Sequence, residues 1–196
     1  GLRKDYAAFA YASYFSELFD ESLEEHQRHP GLFDLLVDAL DRLAHGETPD
    51  LLARYVEISL IAILGYQPYL SHCANCQTPL STRSDDGRTL WPTWLGFSAS
   101  QGGALCPDCL PKIPGARRTA AGTVQVIQLL LHQGAEPIAG LKISDPLRRE
   151  IEQTLQEYLE YRLERRLRST RFLRESLNVP GAPVDEAALA LAAERG

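Results

Sequence analysis

The sequence predicts a mainly α-helical fold, a helical bundle interrupted by a small cysteine-bearing insertion built on a β-hairpin. Three observations lead there. Apolar residues recur at spacings of three and four over long stretches on both sides of the middle of the chain, the signature of helices with one buried face. Between residues 67 and 113 that period disappears, and Pro, Gly, Ser and Thr take over together with all four cysteines. The chain has 196 residues, 44% hydrophobic and 23% charged, enough to bury a proper core and too apolar for a disordered segment.

The elements follow in order. From Arg3 to His29 the residues Tyr6, Phe9, Ala10, Tyr14, Leu18 and Phe19 mark one face of a first helix, with Asp20, Glu21, Glu24 and Glu25 at its solvent-facing end. Pro30 and Gly31 stop it. Leu32, Phe33, Leu36, Val37, Leu40 and Leu43 form the stripe of a second helix ending near His45 and Gly46. Thr48-Pro49-Asp50 reads as an N-terminal cap for a third, which is apolar nearly all round from Leu51 to Leu64 and is therefore expected at the centre, with Gly65 placed to end it. In the insertion, Asp86-Gly87 ahead of Thr89 to Trp91 signals a hairpin turn. Thr119 to Leu131 returns to a helical pattern on Val124, Ile127, Leu130 and Leu131, and a loop with Gly134, Pro137 and Gly140 closes it. Ser144-Asp145-Pro146 opens the longest helix, whose buried side runs through Ile151, Leu155, Tyr158, Leu159, Leu163 and Leu167 to about Leu177. The expected division is a helical domain over 1–66 and 114–178, a ribbon insertion over 67–113, and an Ala-rich tail over 179–196, either a short helix or mobile.

Charge narrows the function classes. The net charge is −6 and the pI about 5.4, so no global case exists for nucleic-acid binding. Its distribution is uneven: residues 1–60 carry 12 acidic and 5 basic side chains, whereas 145–178 carry 7 acidic and 8 basic, all of them Arg. Any anion-binding face is local and C-terminal. No apolar run approaches the roughly 20 residues that cross a bilayer, and no leader pattern stands at the start, so a soluble, cytosolic protein without a membrane partner is expected. The chain opens at Gly1 and enters a helical pattern at once, which suggests that an N-terminal part precedes it.

Cys73, Cys76, Cys106 and Cys109 form two C-x2-C pairs separated by 29 residues. Such pairs suit a tetrahedral all-thiolate site in which each knuckle aims two sulfurs at one zinc ion. Two disulfides, four unconnected core thiols or a redox pair are the other readings. Reduced cytosolic thiols argue against the disulfides, and a redox pair would need a βαβ setting that is lacking. Four cysteine ligands leave no open position to activate water, so the ion is expected to be a structural staple for a segment with too little apolar material to fold alone. His72, beside Cys73, reads as a neighbour of the site or a surface residue.

No carboxylate pair, activated nucleophile or phosphate-cradling glycine loop is evident, so neither an enzyme nor a small-molecule substrate is expected. Gly102-Gly103 reads as a tight turn into the second knuckle. Arg162, Arg165 and Arg166, with Ser169, fall on one side of the last helix, and Arg168, Arg171 and Arg174 spread around its end. Two readings stay open: a solvated, dipole-compensating face with Glu164 paired to Arg168, or a site for a nucleic-acid backbone or acidic peptide through the planar guanidinium fork. Trp91, Trp94 and Phe97 are read either as the ribbon's own small core or as platforms for unpaired bases. The acids of residues 17–25 read as a solvated face that could also meet a basic partner.

The order of these segments resembles the C-terminal part of the RecO family of bacterial recombination mediators. The likeness is carried by SELFDE (Ser16 to Glu21), LFDLL (Leu32 to Leu36), YVEISLIAILGYQPYLSHCANC (Tyr55 to Cys76), GFSASQGGALCPDC (Gly96 to Cys109) and RLRSTRFLRE (Arg166 to Glu175). It implies an all-helical domain with a zinc insertion, normally preceded by an OB-fold, in a cytoplasmic, nucleoid-associated protein. The resemblance implies a DNA repair and recombination mediator that binds single- and double-stranded DNA and anneals strands. It further implies work with RecR, and in some lineages RecF, to load a recombinase on strands coated by single-strand-binding protein, whose acidic tail is a further expected partner. The four cysteines match that family's metal ligands. The alternative is a zinc-stapled helical adaptor that binds only protein.

Overall fold

The computed structural model describes residues 6–23, 29–134, 142–169 and 173. Five helices and five short strands follow in the order α1 (Tyr6–Ser22), α2 (Pro30–Ala44), α3 (Pro49–Ile63), β1 (Thr82–Arg83), β2 (Thr89–Leu90), β3 (Trp94–Ser98), β4 (Gly103–Leu105), β5 (Arg117–Ala120), α4 (Ala121–Gln133) and α5 (Asp145–Leu163). The fold is mainly helical with small antiparallel strands beside a four-cysteine cluster. The Ala-rich tail over 179–196 lies outside the described residues.

The third helix is the hub, as its all-round apolarity predicts. It packs against α1, α2, α4 and α5, and Leu52, Ala53, Val56, Ile58 and Leu60 are fully buried. Both α2 and α3 begin with Pro in the first turn, where the missing N–H has no intrahelical acceptor to lose. Both end with a left-handed glycine. Gly65 donates to Ala62 and Tyr66 donates to Ile61, and Gly46 and Glu47 repeat this pattern on Leu43 and Arg42, so orphan carbonyls at each helix end are satisfied.

The stripes are shifted from those read in the sequence. In α1 the buried residues are Ala8, Ala10, Tyr14, Phe15, Leu18 and Phe19, while Tyr6 and Phe9 are exposed. In α2 they are Leu32, Leu35, Ala39 and Leu43, while Phe33 and Val37 are exposed. Each apolar arc is wider than the face its neighbours cover.

Polar residues also reach the core. Tyr14 donates to Glu57 at 2.6 Å, and Arg54 stands 2.8 Å from the same carboxylate oxygen, which is 1% exposed as a side chain. Burial pushes the Glu57 carboxyl up to about 7, although Arg54 and the Tyr14 hydroxyl both favour its charged form.

The strands form two sheets. β1 and β2 make the hairpin that Asp86-Gly87 predicts, with Gly87 left-handed and donating to Ser84. β4, β3 and β5 form an antiparallel sheet in that order. Its third strand holds Thr119 and Ala120, so the helix expected from Thr119 begins at Ala121. Thr119 pairs with Leu95 and is buried beneath the sheet, a tertiary demand that its local sequence does not announce. Leu95, Phe97, Ala104 and Leu105 share one continuous core with the helices, and Phe97 packs edge-on against Tyr158 of α5 at 5.7 Å.

Candidate metal centre and basic cleft

Each cysteine pair sits on a turn whose backbone hydrogen bonds set the sulfur positions. In the first, Cys73 N–H donates to Thr78 and Gln77 N–H donates to Cys73, with Gln77 held left-handed at φ 63°. In the second, the N–H groups of Cys109 and Leu110 both donate to Cys106. Ala74 N–H donates to Ala104 at 2.8 Å and ties the first turn to β4. The glycine pair behaves as the turn reading expects. Gly103 is paired with Tyr69, and a Cβ on Gly103 would lie 2.3 Å from the Tyr69 carbonyl oxygen, so no side chain fits.

The four Sγ atoms all lie within 4.8 Å of one another, and none is in a disulfide. Sulfurs at 2.3 Å from a central ion in a tetrahedron stand about 3.8 Å apart. The Cys76 and Cys106 sulfurs are 3.7 Å apart. The donor set and spacing therefore fit a tetrahedral thiolate-bound metal. Cys73 and Cys109 are buried, Cys106 half-buried and Cys76 exposed. Around the sulfurs, the Asn75 amide donates to Cys109 at 3.3 Å, and the Thr78 hydroxyl lies 3.2 Å from Cys76. Hydrogen bonding with Thr78 lowers the Cys76 thiol to about 6, whereas burial raises Cys106 to about 12. His72 is exposed and bonds to Ser71.

The arginines occupy a different arrangement from the one the helical pattern predicts. Helix α5 ends at Leu163, where Glu164 turns left-handed at φ 55°, so no single face continues to Leu177 and the expected pairing of Glu164 with Arg168 loses its helical spacing. Arg162, Arg165 and Arg166 nevertheless line one open cleft of about 770 Å³ with Tyr66 and Tyr161. Glu157, Glu160 and Glu164 line it too. Arg162 is packed into the structure. Its guanidinium carbon lies 5.0 Å from the Tyr158 ring centroid, 5.5 Å from Tyr161 and 5.8 Å from Tyr66. A Cβ on Gly102 would come within 2.9 Å of its terminal nitrogen.

The remaining basic residues meet α1. Arg165 pairs with Glu21 at 2.5 Å. Glu17 accepts the Arg168 N–H at 2.9 Å, the Ser169 N–H at 2.8 Å and the Ser169 hydroxyl. Burial works against the Glu17 charge, but these Ser169 and Arg168 contacts outweigh it and lower its pKa. Of the acids of residues 17–25, Glu21 thus meets a basic side chain within the chain and Glu17 accepts from backbone and serine, while Glu24 and Glu25 lie outside the described residues. Arg171 and Arg174 lie outside the described residues.

Trp91 is partly buried, and Trp94 stacks beneath Arg118, whose guanidinium carbon is 4.4 Å from its ring. The tyrosines around Arg162 carried no sequence signal of their own, since Tyr66, Tyr158 and Tyr161 belong to two segments that only the fold brings together. Among the described residues no helix is long and apolar enough to cross a membrane.

The family model described as Recombination protein O C terminal matches residues 3–171. The DNA repair protein RecO of Anaeromyxobacter sp. (strain K) is 35% identical over 174 residues, which cover 89% of this chain and 65% of that protein. DNA repair protein RecO of Desulforamulus reducens is 32% identical over 172 residues, 88% of this chain and 63% of its own length. That of Bacillus subtilis is 28% identical over 173 residues, with the same two shares. The chain spans somewhat under two thirds of the length of these curated relatives. With the matched span running from α1 through both cysteine turns to Arg171, the chain belongs to the RecO family of DNA repair proteins.

Proposed function

We propose that this chain is the helical, zinc-bearing part of a cytoplasmic recombination mediator. It binds single- and double-stranded DNA and assists strand annealing. It also helps load a recombinase, with RecR and in some lineages RecF, on strands coated by single-strand-binding protein. The observation that carries this reading is the family match over most of the chain. The clustering of Arg162, Arg165 and Arg166 on one cleft supports a local anion site in a protein whose net charge is negative.

The metal is one structural zinc ion held by Cys73, Cys76, Cys106 and Cys109. When bound, it supplies four metal–sulfur bonds that lock the two turns together and leaves no position open for a reacting water. The chain's own residues do the rest: Asn75 bonds the buried Cys109 sulfur and Thr78 the exposed Cys76 sulfur, and these bonds orient them.

A protein-only adaptor remains the second reading, favoured by the three glutamates on the same cleft. Fluorescence anisotropy separates the two, with labelled single-stranded DNA, duplex DNA and an acidic tail peptide of single-strand-binding protein, each across a salt series. The double variant Arg165→Ala, Arg166→Ala is expected to weaken single-strand binding about tenfold and to flatten the salt slope by about 1.4, two contacts at 0.7 each. Peptide binding with no DNA affinity at low salt would favour the adaptor.

A further inference from the structure

We propose that the tyrosine-lined cleft between α5 and the connection out of α3 takes an unpaired nucleobase, and that Tyr66 and Tyr161 make the site selective for single strands. This inference rests on the DNA-binding reading above and names the residues that would decide between strand types.

Tyrosines from two segments are open here: Tyr66 is 46% exposed and Tyr161 49%, both lining the cleft, and Tyr69, three residues after Tyr66, is 57% exposed. Two of them, with the buried Tyr158, surround one guanidinium, that of Arg162. The backbone holds this arrangement rigidly. Tyr158 donates to the Tyr66 carbonyl at 2.9 Å, and Tyr69 is locked on both sides by hydrogen bonds with Gly102 and Ala104. These bonds set the backbone at residues 66 and 69, and the half-exposed rings of Tyr66 and Tyr161 are open to a stacking partner.

The chemistry of the walls selects the ligand. Among the described residues, the cleft is lined by tyrosine, arginine and glutamate. A protein hot spot would offer a pocket for an apolar anchor, whereas flat aromatic rings beside a guanidinium plane suit a nucleobase, which stacks on both. The glutamates set where the phosphates go. Glu157 is 3.5 Å from Arg117 and Glu160 accepts from Gln156, so two of the three acids are engaged, but their presence keeps a phosphate out of the cleft floor. Arg166 is exposed at the rim beside Arg165, and a strand can run its backbone there while a base turns inward. In a duplex the bases are already stacked and paired, so only an unpaired strand gains this contact.

The test uses the whole chain with labelled oligothymidylate and a duplex of equal length, comparing wild type with Tyr66→Ala, Tyr161→Ala and the two Tyr→Phe variants. Each Ala variant is expected to weaken oligothymidylate binding about tenfold, the scale of one lost stack. Duplex binding should change less than about twofold, and the Phe variants should bind like wild type because the ring face is what matters. Melting curves check folding. Wild-type binding that the Ala variants leave unchanged, or that falls equally for single strand and duplex, overturns the inference while leaving the DNA-binding reading intact. No wild-type binding to either DNA at low salt overturns that reading and this inference together.

Discussion

Glu57 shows how much of the core is electrostatic. Its carboxyl is fully enclosed, shares an oxygen with Arg54 and Tyr14, and is raised to about 7 from an ordinary value of 4.5, burial being the main cause. The folded state therefore holds a proton that the unfolded chain releases at lower pH. Stability from this group is fully present below about pH 4.5 and is lost as pH rises through 7. Glu57→Gln cannot titrate, so the melting-temperature advantage of wild type over this variant is expected to be largest near pH 5 and to shrink toward pH 8. A difference that stays flat across that range would contradict the assignment. This triad was not legible in advance: Arg54 and Glu57 sit three apart on a helix, an ordinary surface pairing, and it is tertiary packing, with Tyr14 from α1 among the neighbours, that removes them from water.

At the level of elements, the helices were legible wherever a break is written in the chain. Pro30, Pro49 and Pro146 open helices, and Gly46, Gly65 and Gly134 stand at their ends, because these residues restrict or free the backbone locally. The end of α5 is a different matter. Glu164, Arg165, Arg166 and Leu167 are all good helix formers, and the break after Leu163 goes together with a contact made by α1, 152 residues earlier in the chain from Ser169. Glu17 accepts two backbone N–H groups there, and its pKa is lowered, so its contribution is present above pH 4.5 and lost as pH falls below it. Glu17→Gln is expected to lower Tm at pH 7 by about 2–4 °C, the effect of on the order of 1 kcal/mol in a chain of this size. The difference should shrink as pH is lowered from 7 into the acid range below 4.5. The β5 strand was missed for a similar reason, since Thr119 is placed by its partner Leu95 and not by any alternation of its own.

For the whole molecule, the cysteine-bearing segment and the helices share one core, and this decides what loss of the proposed zinc ion would do. Cys73 and Cys109 belong to the same buried cluster as Phe97, Tyr158 and Leu105. Cys73→Ser, or stripping of zinc by a chelator, is expected to lower the single melting transition followed by helical circular dichroism by more than about 10 °C. Wild-type melting after stoichiometric zinc release would refute the staple. The cysteine spacing made the site legible because ligand geometry is carried by two short turns. The tyrosine cleft was not, because its rings come from residues 66–69 and 158–161 and meet only after α3 and α5 have packed.

The bonds between Glu17 and the segment at Arg168 and Ser169 carry a consequence for synthesis. At about 5–20 residues per second, roughly eight to thirty seconds separate translation of Glu17 from translation of Ser169. During that interval the apolar side of α1 can already settle on α2 and α3, while Glu17 and Glu21 wait without their arginine and amide partners. The acidic side of the first helix is thus completed long after its apolar side can pack.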